Sequence, residues 1–215
     1  GKFAGEKQLI AKANARGPEN LAKTGIPLIH ISTDYVFDGT NCRPYIETDA
    51  ANPQSVYGRT KLAGEQAVLE NASAAVIIRT AWLYSEFGNN FVKTMRRLGA
   101  EKAQLNVVFD QVGTPTYAAD LAAAVVHILP RLRPGMKEIF HFSNEGVCSW
   151  YDFAVEIMKL SGLDCRINPI ESKDYPTPAR RPFYSVLNKT KIKQTFNIEI
   201  NHWKESLQSC LKHLS

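Results

Sequence analysis

Short apolar runs alternate with helix-length segments over residues 1–130, and few folds accept that pattern. Residues 7–23 set Leu9, Ile10, Ala13 and Leu21 among charges, the spacing of a helix, and Gly25 ends it. The apolar stretch 27–32 then predicts a strand, and Asp38-Gly39-Thr40-Asn41 marks a turn in the polar loop that follows. A helix is expected over residues 55–70 and a strand over 75–78. Helix, strand and helix recur near 91–98, 105–109 and 118–129. Strands separated by helices of this length need crossover connections, so they pair in parallel, with helices covering the sheet. The fold class is therefore α/β, a Rossmann-like parallel sheet.

The pattern changes after Pro130. A strand is expected at 139–142, and Ser149 is placed to cap a helix that opens at Trp150. A proline- and arginine-rich loop, Tyr175 to Pro182, follows, and a last helix is expected near 203–214. These features suggest two units: residues 1–130 as the Rossmann-like domain and 131–215 mainly as a smaller substrate lobe, with chain crossovers between them allowed. In open α/β sheets ligands bind beyond the carboxyl ends of the strands, where such a lobe would sit.

Composition excludes several classes. The chain has 215 residues, 44% hydrophobic and 22% charged, ordinary for a water-soluble domain with a sizeable core. The net charge of +5 is spread along the chain, which suits an anionic ligand but gives no nucleic-acid patch. No apolar run reaches the ~20 residues of a membrane span, and residues 1–7 lack a signal-peptide core. Cys42, Cys148, Cys165 and Cys210 are scattered without a C-x-x-C pair, as free thiols in a reducing cytoplasm would be. The oligomeric state is open, a homodimer being one option.

The chemistry concentrates in two places. Tyr57 and Lys61 stand four residues apart, one turn apart on one helix face. An ammonium near a phenol favours phenolate, so Lys61 is expected to lower the Tyr57 pKa, and a phenol so tuned can protonate a developing alkoxide. The remaining ammonium donors could hold a ribose hydroxyl. The same spacing also occurs on any exposed helix, so it needs context. Upstream, Ser32-Thr33-Asp34-Tyr35 leaves the carboxyl end of a strand, where the Thr33 hydroxyl could steady an oxyanion. As a strand-end cap and a turn former, Thr33 and Asp34 could equally be structural.

Ile31-Ser-Thr-Asp-Tyr-Val-Phe-Asp-Gly-Thr40, Asn52-Pro53 and Tyr57-Gly-Arg-Thr-Lys-Leu-Ala-Gly-Glu65 together resemble the extended short-chain dehydrogenases of the dTDP-4-dehydrorhamnose reductase family. The similarity continues through Arg79-Thr-Ala-Trp-Leu-Tyr84, Gly88-Asn-Asn-Phe91, Asp110-Gln-Val-Gly-Thr-Pro-Thr116 and the Tyr175–Pro182 loop. The resemblance implies reduction of the C4 keto group of dTDP-4-dehydro-L-rhamnose by NADPH or NADH, in a cytoplasmic pathway feeding surface polysaccharide. It implies Tyr57 as general acid, Lys61 as the group that orients the cofactor ribose, and Thr33 as the hydroxyl partner. Asp34, Trp82 and, more weakly, Tyr35 resemble positions near the reacting sugar ring. Arg180 and Arg181, held between prolines, suit a pyrophosphate, or else a loop ion pair. Asn90 could touch ligand or cap the helix opening at Phe91, and Gln111 and Thr116 lie in a loop on the substrate side.

The family also has a glycine-rich strand-to-helix turn that wraps the cofactor pyrophosphate. Gly1 and Gly5 follow no strand, and Gly17 and Gly25 lie in or after a helix. The expectation is a fragment of a longer enzyme, or else a short protein that has lost cofactor binding. Two other functions share the scaffold: a non-catalytic regulatory subunit like the methionine adenosyltransferase beta subunit, and a nucleotide-sugar dehydratase or epimerase, for which Asp34 is the acidic group beside the hydroxyl.

Overall fold

The computed structural model describes residues 9–175 and 181–214. A π-type turn, Lys12–Arg16, runs into helix α1 (Gly17–Ala22), whose Pro18 sits in the first turn, where its missing N–H leaves no partner unsatisfied. Strand β1 (Leu28–Thr33), helix α2 (Val56–Asn71) and strand β2 (Ala75–Thr80) follow. Next come β3 (Leu83–Tyr84), α3 (Phe91–Glu101), β4 (Gln104–Val108), β5 (Val112–Gly113), β6 (Thr116–Tyr117) and α4 (Ala118–Ile128). The chain continues through β7 (Lys137–His141), β8 (Cys148–Ser149), α5 (Trp150–Ser161) and β9 (Arg166–Ile170), and ends in α6 (Thr190–Phe196) and α7 (Trp203–Lys212).

The main sheet has the order β1-β2-β7, all parallel. Every residue of the central strand β2 is buried, which is why residues 75–78 read as a continuous apolar run rather than an alternating one. Val76 and Ile78 face Leu121 and Ile128 of α4 and Ile192 and Phe196 of α6. Ala75 and Ile77, on the other face, meet Ala22 of α1 and Val68 of α2. Each fully buried isoleucine contributes roughly 1.5–3 kcal/mol by leaving water.

A second core lies beyond the carboxyl ends of these strands. There β4 pairs in parallel with β9, and α3, α5 and α7 supply Val92, Met95, Phe153, Ile157 and Leu207. Helix α5 starts on a capping box: the Asp152 N–H donates to Ser149 Oγ (3.0 Å) and the Ser149 N–H donates to the Asp152 carboxylate (2.9 Å). It ends at Gly162 in the left-handed region (φ 64°).

A boundary at residue 130 does not separate the two units. Strand β7 belongs to the main sheet and α6 to its covering layer, whereas α3 and β4 belong to the second core. The chain crosses between layers because a parallel strand cannot pair with its sequence neighbour without a long connection. Strand β9 and helix α6 have no counterpart in the sequence reading. Among the described residues no helix is long and apolar enough to cross a membrane. Cys42 is exposed and the other three cysteines are buried, all as free thiols.

Candidate active site

Strand β1 ends at Thr33, and the chain turns at once into a 3-10 turn, Asp34–Val36. Thr33 Oγ accepts the Tyr35 N–H (3.2 Å) and donates to Asp34 Oδ1 (3.0 Å). The cap role expected of Thr33 is thus met, with its hydroxyl shared between the Tyr35 N–H and the Asp34 carboxyl. Helix α2 opens nearby, with Ser55 Oγ accepting the Gly58 N–H (3.0 Å). Gly58 matters because a Cβ there would lie 2.2 Å from the Tyr35 carbonyl oxygen. Its bare backbone lets the first turn of α2 rest on the end of β1. The Tyr57 and Tyr35 rings then meet edge to face, 5.8 Å between centroids.

Tyr57 remains 45% exposed, so its phenol is open to a ligand. Burial of the rest of the ring pushes its pKa up; the Thr33 hydroxyl pulls it down and Asp34 adds to the rise. Lys61 is not among the groups that move it, contrary to the expectation from spacing. The Lys61 ammonium instead donates to the Ile31 carbonyl (2.6 Å), tying α2 to β1. Burial lowers the Lys61 pKa and Glu65, one turn on, raises it. Glu65 is itself held by Arg79 of β2 through two bonds, Nε to Oε1 (2.9 Å) and Nη2 to Oε2 (2.7 Å), with both side chains almost wholly buried.

Asp34 is 2% exposed, and its Oδ2 has no hydrogen-bond partner among the described residues. Burial pushes its pKa up to about 7, against the pull of the Thr33 and Ser185 hydroxyls. Near neutral pH this carboxyl can therefore either hold or release a proton. Trp82, just past β2, adopts a left-handed backbone (φ 47°), which is uncommon outside glycine. Its ring stacks on Trp150 at 3.6 Å and 9°. Arg181 is exposed, places its guanidinium 6.0 Å from the Trp150 ring centre, and lines one cleft with Tyr35 and Ser55.

The remaining candidates separate. Asn90 caps α3: its Oδ1 accepts the Lys93 N–H (3.2 Å) while its amide donates to the Ser85 carbonyl (2.7 Å). Thr116 is fully buried and takes a hydrogen bond from Thr80 (3.3 Å). Gln111 donates to Ser172 (2.8 Å). Arg180 lies outside the described residues. Trp150 was legible only as the residue that opens a helix, since its partner Trp82 is remote in sequence.

Thr33, Tyr57 and Lys61 gather at the carboxyl end of β1, and among the described residues the Ile31 carbonyl takes one of the three Lys61 donors, leaving two. That arrangement fits the ribose end of a nicotinamide cofactor. No glycine-rich strand-to-helix turn is found among the described residues to grip its phosphates.

Residues 4–215 match the family described as the RmlD substrate binding domain. The dTDP-4-dehydrorhamnose reductase of Escherichia coli is 39% identical over 225 residues, covering 99% of this chain and 75% of that enzyme. The spore coat polysaccharide biosynthesis protein SpsK of Bacillus subtilis is 42% identical over 193 residues, 90% of this chain and 66% of that protein. A crystal structure of a dTDP-4-dehydrorhamnose reductase from Clostridium acetobutylicum superposes with a TM-score of 0.92 at 45% identity, over 99% of this chain and 76% of that one. One from Bacillus anthracis, in complex with NADP, also gives 0.92, at 36% identity over 97% and 75%. A putative epimerase from Burkholderia cenocepacia shares the fold at 16% identity (TM-score 0.77, 97% of this chain and 72% of that one).

Proposed function

This chain belongs to the dTDP-4-dehydrorhamnose reductase family, and from that membership and the geometry around Tyr57 we propose that it carries the proton-transfer and substrate side of the reduction of dTDP-4-dehydro-L-rhamnose to dTDP-L-rhamnose. The observation that carries this reading is the half-exposed Tyr57 phenol beside the Thr33 hydroxyl, at the open end of a parallel strand. When bound, NADPH or NADH supplies the hydride.

The chain's own residues account for the rest. Tyr57 gives its proton to the C4 oxygen as negative charge gathers there. The phenol, whose pKa burial pushes up, is protonated before substrate arrives, and the negative charge gathering on the C4 oxygen draws that proton across. Thr33 donates to the same oxygen, giving up its bond to Asp34. Lys61 is anchored through the Ile31 carbonyl and turns its free donors to the ribose. Trp82 walls the sugar ring, and Arg181 meets the diphosphate with its planar fork. A cytoplasmic location, where nucleotide sugars and reduced cofactor meet, belongs to the same proposal.

The test is oxidation of NADPH that depends on dTDP-4-dehydro-L-rhamnose. A Tyr57→Phe variant should turn over ~10²–10⁴-fold more slowly, the usual worth of a positioned acid. Undiminished turnover by that variant would remove Tyr57 from the mechanism. Absence of turnover in the parent enzyme, with tight binding to another protein instead, would favour the regulatory-subunit alternative.

A further inference from the structure

We infer that Trp150 is a positioning residue for substrate recognition, the shared support that fixes both the Trp82 ring and the Arg181 guanidinium; the inference rests on the function proposed above. Trp150 opens α5 in the second core, whereas Trp82 follows β2 of the main sheet, so their stack is a direct bond between the two layers. Four observations converge on it. The rings lie nearly parallel with their centroids 3.6 Å apart, in direct face-to-face contact. Trp82 keeps a left-handed backbone that is strained for a residue with a Cβ, and such a conformation persists only where its surroundings impose it.

The third observation is Gly113. A Cβ on Gly113 would come within 2.8 Å of the Trp82 indole, so the ring rests against a bare backbone as well as against Trp150. The fourth is the reach of Trp150 toward Arg181, whose guanidinium lies 6.0 Å from the Trp150 ring centre, at the edge of cation–π range. Trp150 is itself immobilised. The Ser149–Asp152 capping box fixes its backbone, and the Phe91 ring packs at 4.6 Å. Removing the indole would free Trp82 to relax its backbone and take from the exposed Arg181 side chain the ring face beside its guanidinium. The sugar wall and the diphosphate arm would then lose their fixed separation together.

The test uses Trp150→Phe and Trp150→Leu, with two readouts. Two indoles stacked at this distance couple their transitions, giving a paired positive and negative band in circular dichroism. Trp203 packs edge-on against Phe153 and at a tilt on His202, with no second indole beside it among the described residues, and should not contribute. Both variants should lose the paired band. Binding of dTDP-L-rhamnose, measured by calorimetry, should weaken about tenfold in Trp150→Leu and less in Trp150→Phe, which keeps an aromatic face. Thermal midpoints near the parent's would show that both variants fold. A folded Trp150→Leu that binds dTDP-L-rhamnose as tightly as the parent overturns the inference, as does survival of the paired band. If the parent itself fails to bind dTDP-L-rhamnose while showing the band, the proposed function falls and the inference with it. Should Trp150→Leu not fold, Trp150→Phe alone decides on the same two readouts.

Discussion

Replacing Glu65 by glutamine should unsettle this protein far more than the loss of one charge suggests. The carboxylate takes two hydrogen bonds from Arg79, and the two side chains are 1% and 4% exposed. Water therefore cannot rescue the guanidinium once its partner is neutral. Arg79 Nη1 has no hydrogen-bond partner among the described residues; the Phe37 ring lies 5.1 Å from the guanidinium, and the neutral, buried His141 across the β2–β7 pairing offers no counter-charge. Breaking a buried pair from one side costs about 3–5 kcal/mol, because an uncompensated charge is left behind. For a chain of this size each kcal/mol moves the melting temperature by roughly 2–4 °C, so a fall on the order of 6–20 °C is expected. The double variant Glu65→Leu with Arg79→Met removes both charges and should recover most of the loss, as apolar replacement of a buried pair often does. Urea titration and thermal melts of the parent, of Glu65→Leu and Arg79→Met singly, and of the double variant close the cycle. A Glu65→Gln loss below about 1 kcal/mol, the worth of an exposed pair, would show that the site is wetter than the structure allows.

Asp34 gives a prediction with a sign. Its folded pKa is raised to about 7 by burial, so the folded chain holds a proton that the unfolded chain releases near pH 4. Its contribution to stability is therefore complete below about pH 4 and is lost as pH rises toward 7. Asp34→Asn should escape that loss, its stability relative to the parent improving between pH 5 and pH 8 in urea unfolding. Parallel curves for the two proteins would sink the argument. Gly58→Ala should cost about 1–3 kcal/mol from overpacking against the Tyr35 carbonyl, and should impair turnover by lifting Tyr57 away from Thr33. Full activity and an unchanged melting temperature in Gly58→Ala would mean that α2 does not rest on β1 as described.

What could be read in advance follows from how local each signal is. Helix α2, strands β1 and β2, and the Ser149 cap are written in contiguous residues, and the structure places them within a few positions of where periodicity and capping chemistry put them. The gathering of Thr33 with Tyr57 followed from a strand end and a helix start joined by one loop. The direction of the Lys61 ammonium did not, because a helical repeat says which residues share a face and nothing about the carbonyl waiting beneath it. Strand β9 was hidden by Pro169, which reads as a breaker although it is tolerated on the edge of a two-stranded pair. The Trp82–Trp150 stack was invisible for the same reason as the layer crossings: its halves lie in segments that only the tertiary fold brings together.

The pairing of β4 with β9 bears on how the molecule is made. As the chain leaves the ribosome, α3 and β4 emerge long before Arg166–Ile170, and until then β4 has an open edge and no partner. The main sheet waits in the same way for β7 to cover Ala75–Arg79 of β2. Neither layer can finish while the other is still being synthesised, so both mature late, through contacts distant in sequence, which fold slowly. An exposed apolar strand held in that waiting state is a target for chaperones and a hazard for aggregation. Expression of this protein should therefore respond to growth temperature and chaperone supply more than its finished stability would suggest.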